Sequence, residues 1–560
     1  MSERERFSKK LTPQLVWKLY SKGRGYNDTI QLDDEVETNE NFFIGKQWEG
    51  VQSNGLPTPV FNFLKKVTLF TIASVTTDNL KMQAQPLGNN GRKGELYPLT
   101  TIVNNEFDAL MEHNSIGGLV REYMRNAAVD GDGCMYTYWD AEAETGQAAR
   151  GAIRTEVVEN TRVFFGNPCD RRVQTQPHII IERREFLSQL RERAEALGVK
   201  QEIRPDSEVR QTGPVSHDDD NVTVLTLFYK DSETKTVWMY ECTREVELQH
   251  KDTELKLYPI TWLNWDYRQN CYHGQSLISG LIPNQIYINK IFAMTMISLM
   301  TTAYPKILYD KTRVSRWTNQ VGAAIAVNGG DVQSVARIMD PAQISPQIAQ
   351  FIQLAVEYTQ TFLGATPAAM GEVRPDNTSA IICLQRASSI PQEITKQNLY
   401  ASIEELGRIY LDFMANYYGT RIVETTVPKD APPMAAQFAG VIPGQEVSQP
   451  FDFSVLKAVP MSLKLDVGAS AYWSEIASMQ TLDNLLMQGK IALDDYLERI
   501  PDGYISKRQE LLEKLRSQTG MQQPGAMAAP GGELLDSGQP TPVQGGGGDG
   551  RLQREIRQAI

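Results

Sequence analysis

The most apolar run of the sequence lies within residues 281–303, LIPNQIYINKIFAMTMISLMTTA. It predicts a helix, because Pro283 stands near the beginning, where its missing N–H costs nothing, and Pro305 follows the end and pushes Tyr304 out of the helical region. From residue 291 to 303 the stretch carries no charge. Since this run is shorter than the roughly 20 residues needed to cross a bilayer, we expect no membrane insertion of the chain.

A second helix is predicted at residues 346–363, with Ser345 as its N-cap and Gly364 as its left-handed end. Its apolar residues recur at helical spacing and form one stripe. The other side carries one charge, Glu357, and is otherwise neutral and polar: Gln347, Gln350, Gln353, Thr359 and Gln360. Such a helix suits packing against copies of itself while facing a ligand that must not be held tightly.

Length and composition predict a folded protein of two or more domains, with 560 residues, 41% of them hydrophobic and 22% charged. The N-terminal residues MSERERFSKKL are charged and polar where a signal peptide would be apolar, so we expect a protein made in a cytoplasm. The net charge of −12 argues against a protein that grips nucleic acid through its phosphates. It does not exclude a protein that lets nucleic acid pass.

The five cysteines are far apart and include no CxxC: Cys134, Cys169, Cys242, Cys271 and Cys383. Their odd number and wide spacing argue against a disulfide scaffold or a zinc site. We expect buried free thiols, because unpaired cysteine behaves as a small apolar residue.

Before residue 280 the pattern predicts an α+β domain of roughly 270 residues. Helices are expected at 11–20, 33–48, 62–82, 99–130 and 187–197, with the fourth broken near Gly117 and Gly118. Strands are expected at 134–141, 154–158, 162–165, 178–182, 222–230, 234–243 and 257–267. Residues 202–220 are polar and acidic and predict a solvated loop.

A longer helix is expected from residue 378 to 418, with a kink at Pro391 and its end at Gly419. Beyond the kink, apolar residues alternate four and three positions apart: Leu399, Ile403, Leu406, Tyr410, Phe413 and Tyr417. A seam of this kind serves either the chain's own core, which is the commoner case, or a contact between subunits.

The C-terminal part predicts strands at 421–427, 451–455 and 461–467, followed by helices at 471–488, 491–499 and 504–517. Residues 520–550 are rich in Gly, Pro and Gln and predict a disordered tail. The last ten residues, RLQREIRQAI, are basic and amphipathic. They are either a frayed terminus or a segment that docks on a partner.

We find no catalytic motif in the sequence. Gly45-Lys46 and Gly489-Lys490 lack the loop and the hydroxyl of a phosphate-binding loop. Residues 130–133, DGDG, begin like a calcium loop but lack its third ligand and closing Glu, which favours a plain turn. Cys271 and His273 lack an orienting third group, which favours a tight turn over a nucleophile and its base. We therefore predict no enzymatic activity, no cofactor and no metal.

Six segments carry a resemblance to a known family: NENFFIGKQW, GDGCMYTYWD, ENTRVFFGNPCDR, YHGQSLISGLIPNQIYINK, TAYPKILYD and FLGATPAAMGEVRPDNTSAIICLQ. In this order, within residues 39–515, they resemble tailed-bacteriophage portal proteins, the head–tail connector family. The resemblance implies a homo-oligomeric ring, expected to be a dodecamer, at the capsid vertex of the virion. Double-stranded DNA would pass through it during packaging and ejection.

The resemblance also implies a division of the chain into the regions of a portal-type α+β ring subunit. These are an N-terminal α+β wing (1–280), a first stem helix (281–303), a clip (304–341), a second stem helix (342–363), a tunnel loop (364–377), a kinked helix and strands of the wing (378–470), a helical crown (471–517) and a disordered tail (518–560). Expected partners are the terminase large subunit, the major capsid and scaffolding proteins, and a head–tail adaptor.

Two groups of site residues follow. The clip contains three acids, Asp310, Asp331 and Asp340, and five basic residues that suit an acidic docking partner, the terminase motor and later the adaptor: Lys306, Lys311, Arg313, Arg316 and Arg337. A solvated loop face is the alternative. The channel residues would be Glu372, Arg374, Asp376 and Asn377 of the tunnel loop, with Gln347, Gln350 and Gln353 of the second stem helix.

A wall with few cations would hold DNA weakly and let it slide, because phosphate affinity grows with the number of cations engaged. Two other classes remain open. One is a structural or scaffolding oligomer without a DNA conduit. The other is a nucleic-acid-processing enzyme, which would need a carboxylate cluster or a nucleotide site that the sequence does not reveal.

Overall fold

The computed structural model describes residues 11–53, 55, 57–76, 80–86, 93–147, 149–206, 221–303, 307–318, 320, 324–329, 331, 334–338, 347–362, 390–426, 446–459, 461–466, 482–491 and 493–500. The chain divides into two units, residues 1–474 and 475–560. The first unit is a mixture of helices and small antiparallel sheets, which confirms the predicted α+β class.

The N-terminal segment forms three helices: α1 (Pro13–Thr29), α2 (Leu32–Ile44) and α3 (Phe63–Val75). α1 begins at Thr12, whose side chain accepts a hydrogen bond from the Leu15 amide. The predicted end of this helix at residue 20 is wrong. The helix continues through Gly23, which lies against Phe164, where a Cβ would come within 2.9 Å of the Phe164 side chain.

The region from residue 76 to 130 corrects one prediction and confirms another. The helix predicted at 62–82 ends at Val75, and β1 (Lys81–Pro86) follows it. The helical zone predicted at 99–130, with a break near Gly117 and Gly118, is two helices, α4 (Lys93–His113) and α5 (Ile116–Asp130). They separate at Ser115, which has a left-handed backbone (φ 50°), just before the two glycines in the first turn of α5.

The middle of the first unit contains two antiparallel sheets, of strand order β3-β2-β9 and β4-β5-β6-β7-β8. Their elements are β2 (Asp132–Asp140), β3 (Ala152–Val157), β4 (Val163–Phe165), β5 (His178–Phe186), α6 (Leu187–Ala196), β6 (Asn221–Lys230), β7 (Val237–Cys242), β8 (Glu247–Asp252) and β9 (Ile260–Asn264). The predicted strands are confirmed in place. β8 was not predicted, since in ELQHKD only Leu248 is buried.

The remaining elements are α7 (Ile282–Ala303), β10 (Ile307–Tyr309), β11 (Ala336–Ile338), α8 (Gln347–Phe362), α9 (Glu393–Tyr417), β12 (Thr420–Thr426), β13 (Glu446–Asp452), β14 (Met461–Asp466) and, in the second unit, α10 (Leu493–Arg499). β10 pairs with β11, β12 with β13, and β14 with β1, all antiparallel. The strand predicted at 451–455 is wrong, because Asp452 ends β13 and caps a 3₁₀ turn at Phe453–Lys457.

Several predictions fall outside the described residues. These are the start of the long helix at residue 378, the tunnel loop, the loop at 207–220, most of the helix at 471–488, the helix at 504–517 and the tail. The described part of the long helix begins with a 3₁₀ turn at Ile390–Gln392. The kink at Pro391 therefore stays a prediction.

α9 runs through the main core of the first unit. Five of the six residues of its apolar seam are at most 3% exposed: Leu399, Ile403, Leu406, Tyr410 and Phe413. The Tyr410 hydroxyl lies 2.7 Å from the Thr155 Oγ1 atom on β3, and the Ser402 hydroxyl lies 2.6 Å from the Tyr123 hydroxyl on α5. The seam is therefore core of its own chain, and not a contact between subunits.

The cysteines follow the prediction in part. Cys134, Cys242 and Cys271 are buried free thiols, as predicted. Cys169 is exposed, so the prediction is wrong there. Cys383 lies outside the described residues. No helix in the described ranges combines the length and apolarity needed to cross a membrane.

Candidate functional site

The first half of α7, which we call the root, is held by buried side-chain amides. Gln285 is fully buried, and Asn289 is 2% exposed. The Gln285 Oε1 atom accepts a hydrogen bond from the Leu64 amide (3.2 Å), and its Nε2 atom donates to the Phe61 carbonyl (2.8 Å). The Asn289 Nδ2 atom donates to Gln47 Oε1 at 2.6 Å. These bonds fix the rotation of α7 about its axis, because turning the helix would leave buried polar atoms unpaired.

A second polar cluster lies just before the root. The Asp132 carboxylate accepts hydrogen bonds from the Gly274 amide (2.7 Å) and from Asn264 Nδ2 (2.7 Å). His273 Nδ1 lies 2.7 Å from its other oxygen, and both side chains are fully buried. The turn that leads into α7 is thus tied to the start of β2 and the end of β9.

This cluster also decides how residues 130–133 and 271–273 are interpreted. Gly131 ends α5 with a left-handed backbone (φ 100°), and β2 begins at the next residue, as expected of a turn. The Cys271 thiol accepts a hydrogen bond from the Tyr26 hydroxyl (3.0 Å), whereas His273 faces Asp132. The two side chains therefore have different partners. Among the described residues, no group of three or more His, Cys, Asp and Glu side chains could hold a metal ion.

The second half of α7, which we call the outer half, is apolar and open to solvent in the single chain. Met294 is 60% and Leu299 56% exposed, and Met296 and Met300 are exposed as well. At 100° per residue, Met296, Leu299 and Met300 lie within an arc of about 100° on one side of the helix, and Met294 lies on the opposite side. A helix with apolar residues on more than one side is one that other protein surfaces cover.

α8 lies beside α7 and carries the predicted neutral polar side. The Asn284 Nδ2 atom of α7 lies 3.5 Å from the Thr359 Oγ1 atom of α8. Gln350 and Gln353 are exposed, as their predicted role requires. Gln347 is the first residue of α8, and its side chain is not described.

The segment predicted as the clip contains the β10–β11 hairpin. Hydrogen bonds from the Thr312 hydroxyl and amide to Asp310 shape the turn after β10 and hold the pKa of Asp310 below its usual range. Arg313 donates to the Ser334 hydroxyl (3.2 Å), and its Nε atom lies 3.8 Å from Asp310 Oδ2. Arg313 thus has partners within the clip, which makes it the weakest of the described docking candidates.

Three other basic residues of the clip are better placed than Arg313 to contact a partner protein. Lys311, Arg316 and Arg337 are exposed and form no ion pair with any residue the structure describes. Lys306 lies outside the described residues, as do Glu372, Arg374, Asp376 and Asn377 of the predicted tunnel loop. The tunnel-loop assignments therefore stay predictions.

Sequence reasoning missed the two polar clusters that position α7. Gln285 and Asn289 stand four residues apart in α7, and this spacing places them on one face. The sequence therefore contained a signal for the first of these clusters. The Asp132–His273 contact joins residues 141 positions apart, and no local pattern reports it.

The family model described as "Phage P22-like portal protein" matches residues 191–531, which is more than half of the chain and spans α7, the hairpin and α8. The chain belongs to the P22-like phage portal protein family. The predicted resemblance to portal proteins is thus confirmed. Portal proteins as a family are structural proteins of the phage head–tail vertex.

Two further comparisons add little to the family assignment. A chain of a solved structure titled "Neck of empty GTA particle computed with C6 symmetry" is 11% identical, with a TM-score of 0.35, over 83% of this chain and 94% of that one. At this level the likeness supports no conclusion. A comparison with curated proteins finds no match.

Proposed function

We propose that this portal protein assembles into a closed ring, expected to be a dodecamer, at the capsid vertex. Double-stranded DNA would pass through the axis of the ring during packaging and ejection. The observation that carries this proposal is the outer half of α7, which exposes Met294, Met296, Leu299 and Met300 in the single chain. Contiguous exposed apolar surface marks a protein–protein contact, and identical copies of α7 and α8 would supply one.

The neutral side of α8 suits a channel wall. Gln350 and Gln353 are exposed amides that offer hydrogen bonds without a net charge. Each cation that engages a phosphate raises the affinity for DNA and its salt dependence, so a wall of amides would let the duplex slide. Arg374 in the tunnel loop would then form one sparse circle of positive charge beside Glu372 and Asp376.

The regions of a portal subunit are assigned on the same basis. α7 and α8 would be the stem, the β10–β11 hairpin would lie in the clip, and the α+β part with α9 would be the wing. Lys311, Arg316 and Arg337 are exposed on the clip and suit an acidic surface. We propose that the terminase large subunit docks there during packaging and a head–tail adaptor afterwards.

Electron cryomicroscopy of the purified full-length chain tests the ring. The proposal predicts a closed ring with an axial channel that admits a duplex about 20 Å wide. A chain that stays monomeric under all assembly conditions contradicts it. A closed oligomer without an open axis would instead favour the scaffolding alternative.

A charge reversal tests the tunnel loop. Arg374→Glu should leave the ring intact and reduce DNA packaging or retention, because it removes the one cation of the loop. Arg121→Glu, at an exposed position on α5, serves as the matched control and should package normally. Normal genome filling by Arg374→Glu would remove the loop assignment while leaving the ring untouched.

A further inference from the structure

Among the described residues, the side chain of Gln147 occupies the outer edge of β12 at Ile422. The Gln147 Nε2 atom donates to the Ile422 carbonyl (2.9 Å), and the Ile422 amide donates to Gln147 Oε1 (3.1 Å). A residue on a neighbouring strand would make the same two bonds. On the other edge of β12, Ile422 lies opposite Pro450 of β13, and proline has no N–H to give. The backbone groups of Ile422 therefore serve the outer edge.

A second amide in the same unit shows what is particular about this one. Asn114 Nδ2 donates to the Ile153 carbonyl (3.1 Å), and the Thr155 amide donates to Asn114 Oδ1 (3.1 Å). Asn114 is only 9% exposed, so its bonds along β3 are shielded from solvent. Ile422 is 53% exposed, so the bonds to Gln147 compete with water. Of these two side-chain amides, the one of Gln147 is therefore the one that a ligand can displace.

An open cleft of about 470 Å³ lies beside this edge, between α4, Gln147 and β12. Ile102 and Ala109 provide apolar surface, and Glu106 and Asp108 provide carboxylates. No Lys or Arg is among the described residues that line it. Burial raises the pKa of Glu106, and the nearby charge of Arg421 opposes that rise. Neither carboxylate forms a hydrogen bond or an ion pair within 4.0 Å with a described residue. The cleft thus carries negative charge next to apolar surface and next to a strand edge.

We propose that the outer edge of β12 binds an extended peptide segment of a partner protein, whose backbone replaces Gln147 at Ile422 and whose Lys or Arg side chain reaches Glu106 and Asp108. Main-chain hydrogen bonds give such a strand its affinity, and the side chains in the neighbouring cleft give it specificity. The acidic lining selects against nucleic acid and against acidic peptides. This inference does not depend on the ring or on the DNA channel.

The test uses the full-length protein and a fluorescein-labelled hexapeptide, Val-Lys-Val-Lys-Val-Lys, followed by fluorescence anisotropy. We expect saturable binding that weakens at least about tenfold in the double variant Glu106→Gln, Asp108→Asn, since two charge-assisted contacts are lost. Glu122→Gln, an exposed acid on α5, is the matched control and should bind like the parent protein. A Val-Glu hexapeptide should not bind.

Two further variants separate strand pairing from simple charge attraction. The same Val-Lys peptide with N-methyl groups on alternate backbone amides should lose binding, because it cannot donate to the edge. Gln147→Ala should bind the unmethylated peptide more tightly, by about two- to tenfold, because the competing amide is gone. Equal binding of the methylated peptide, equal binding by the double variant, or no binding to either the parent protein or Gln147→Ala would each overturn the proposal.

Discussion

The two halves of α7 differ in which contacts hold them in place. In the root, Gln285 and Asn289 are buried and bonded to Leu64, Phe61 and Gln47 of the same chain. The outer half carries apolar side chains that no described part of the same chain covers, and Met294 is among the most exposed of the large hydrophobic residues. The root of α7 is therefore held by its own subunit, whereas the apolar side chains of the outer half are exposed in the single chain.

This difference shows how a portal subunit can fold before it assembles. Buried polar networks favour one arrangement, because any other leaves unpaired groups in the interior. Exposed apolar surface favours association without specifying a single orientation. The root would set the direction of α7, and neighbouring copies would then cover the outer half.

The largest effect is expected at the cluster that ties the root to β2. Asp132→Ala leaves the Gly274 amide, Asn264 and His273 without their shared acceptor. We expect a loss of about 3–5 kcal/mol in the free energy of unfolding, measured by urea denaturation. Asp34→Ala, an exposed position on α2, should cost under about 1 kcal/mol. Equal losses for the two variants would show that the Asp132 cluster is not a fixed part of the root.

A smaller loss is expected at the first amide of α7. Gln285→Leu keeps the approximate volume but leaves the Leu64 amide and the Phe61 carbonyl unpaired, at a cost of about 1–3 kcal/mol. Gln353→Leu, on the exposed side of α8, should change the stability of the subunit by less than about 0.5 kcal/mol. A similar loss of stability in both variants would show that the buried amide of the root contributes no more to stability than an exposed amide.

The sequence predicted the elements whose signals are local. Pro283 and the uncharged run marked α7, and runs of strand-forming apolar and aromatic residues marked β2, β6 and β7. Elements whose stability comes from distant contacts were misjudged. The helix predicted at 62–82 runs into β1. The partner of β1 is β14, which lies almost 400 residues later in the chain, so no local pattern indicates the strand.

The candidate site was predictable to a similar extent. Composition identified the amide side of α8 and the apolar nature of α7. It did not distinguish a core seam from an interface seam, since Leu399 on α9 and Met294 on α7 are both apolar residues at helical spacing. Only the structure shows that Leu399 is fully buried within its own chain and Met294 is exposed.

A pH effect is expected at Asp130, the last residue of α5 and a neighbour of the Asp132 cluster. Burial, reinforced by the charge of Glu40, raises the pKa of Asp130 to about 8. Its Oδ1 atom is buried without a hydrogen-bond partner in the described part of the chain, and a negative charge is unfavourable at a helix C-terminus.

The folded state therefore holds a proton on Asp130 that the unfolded state releases near pH 4. The contribution of this group to stability is complete below about pH 4 and is lost as the pH rises towards 8. Asp130→Asn should remove that loss, so its melting temperature should exceed that of the parent by more at pH 8 than at pH 5. Thermal scans at the two pH values measure it, and parallel curves for the two proteins would contradict the shift.

Methionine oxidation footprinting of the assembled and the dissociated protein measures whether subunits contact each other through the outer half of α7. Hydrogen peroxide should oxidise Met294, Met296 and Met300 quickly in the dissociated chain, where they are exposed, and several-fold more slowly once the ring forms. Met124 and Met414, both fully buried, are the protected references, and Met487, 86% exposed, is the open reference. Slower oxidation of the three α7 methionines on assembly is the predicted result. Equal oxidation rates in the two states would contradict a subunit contact on the outer half of α7.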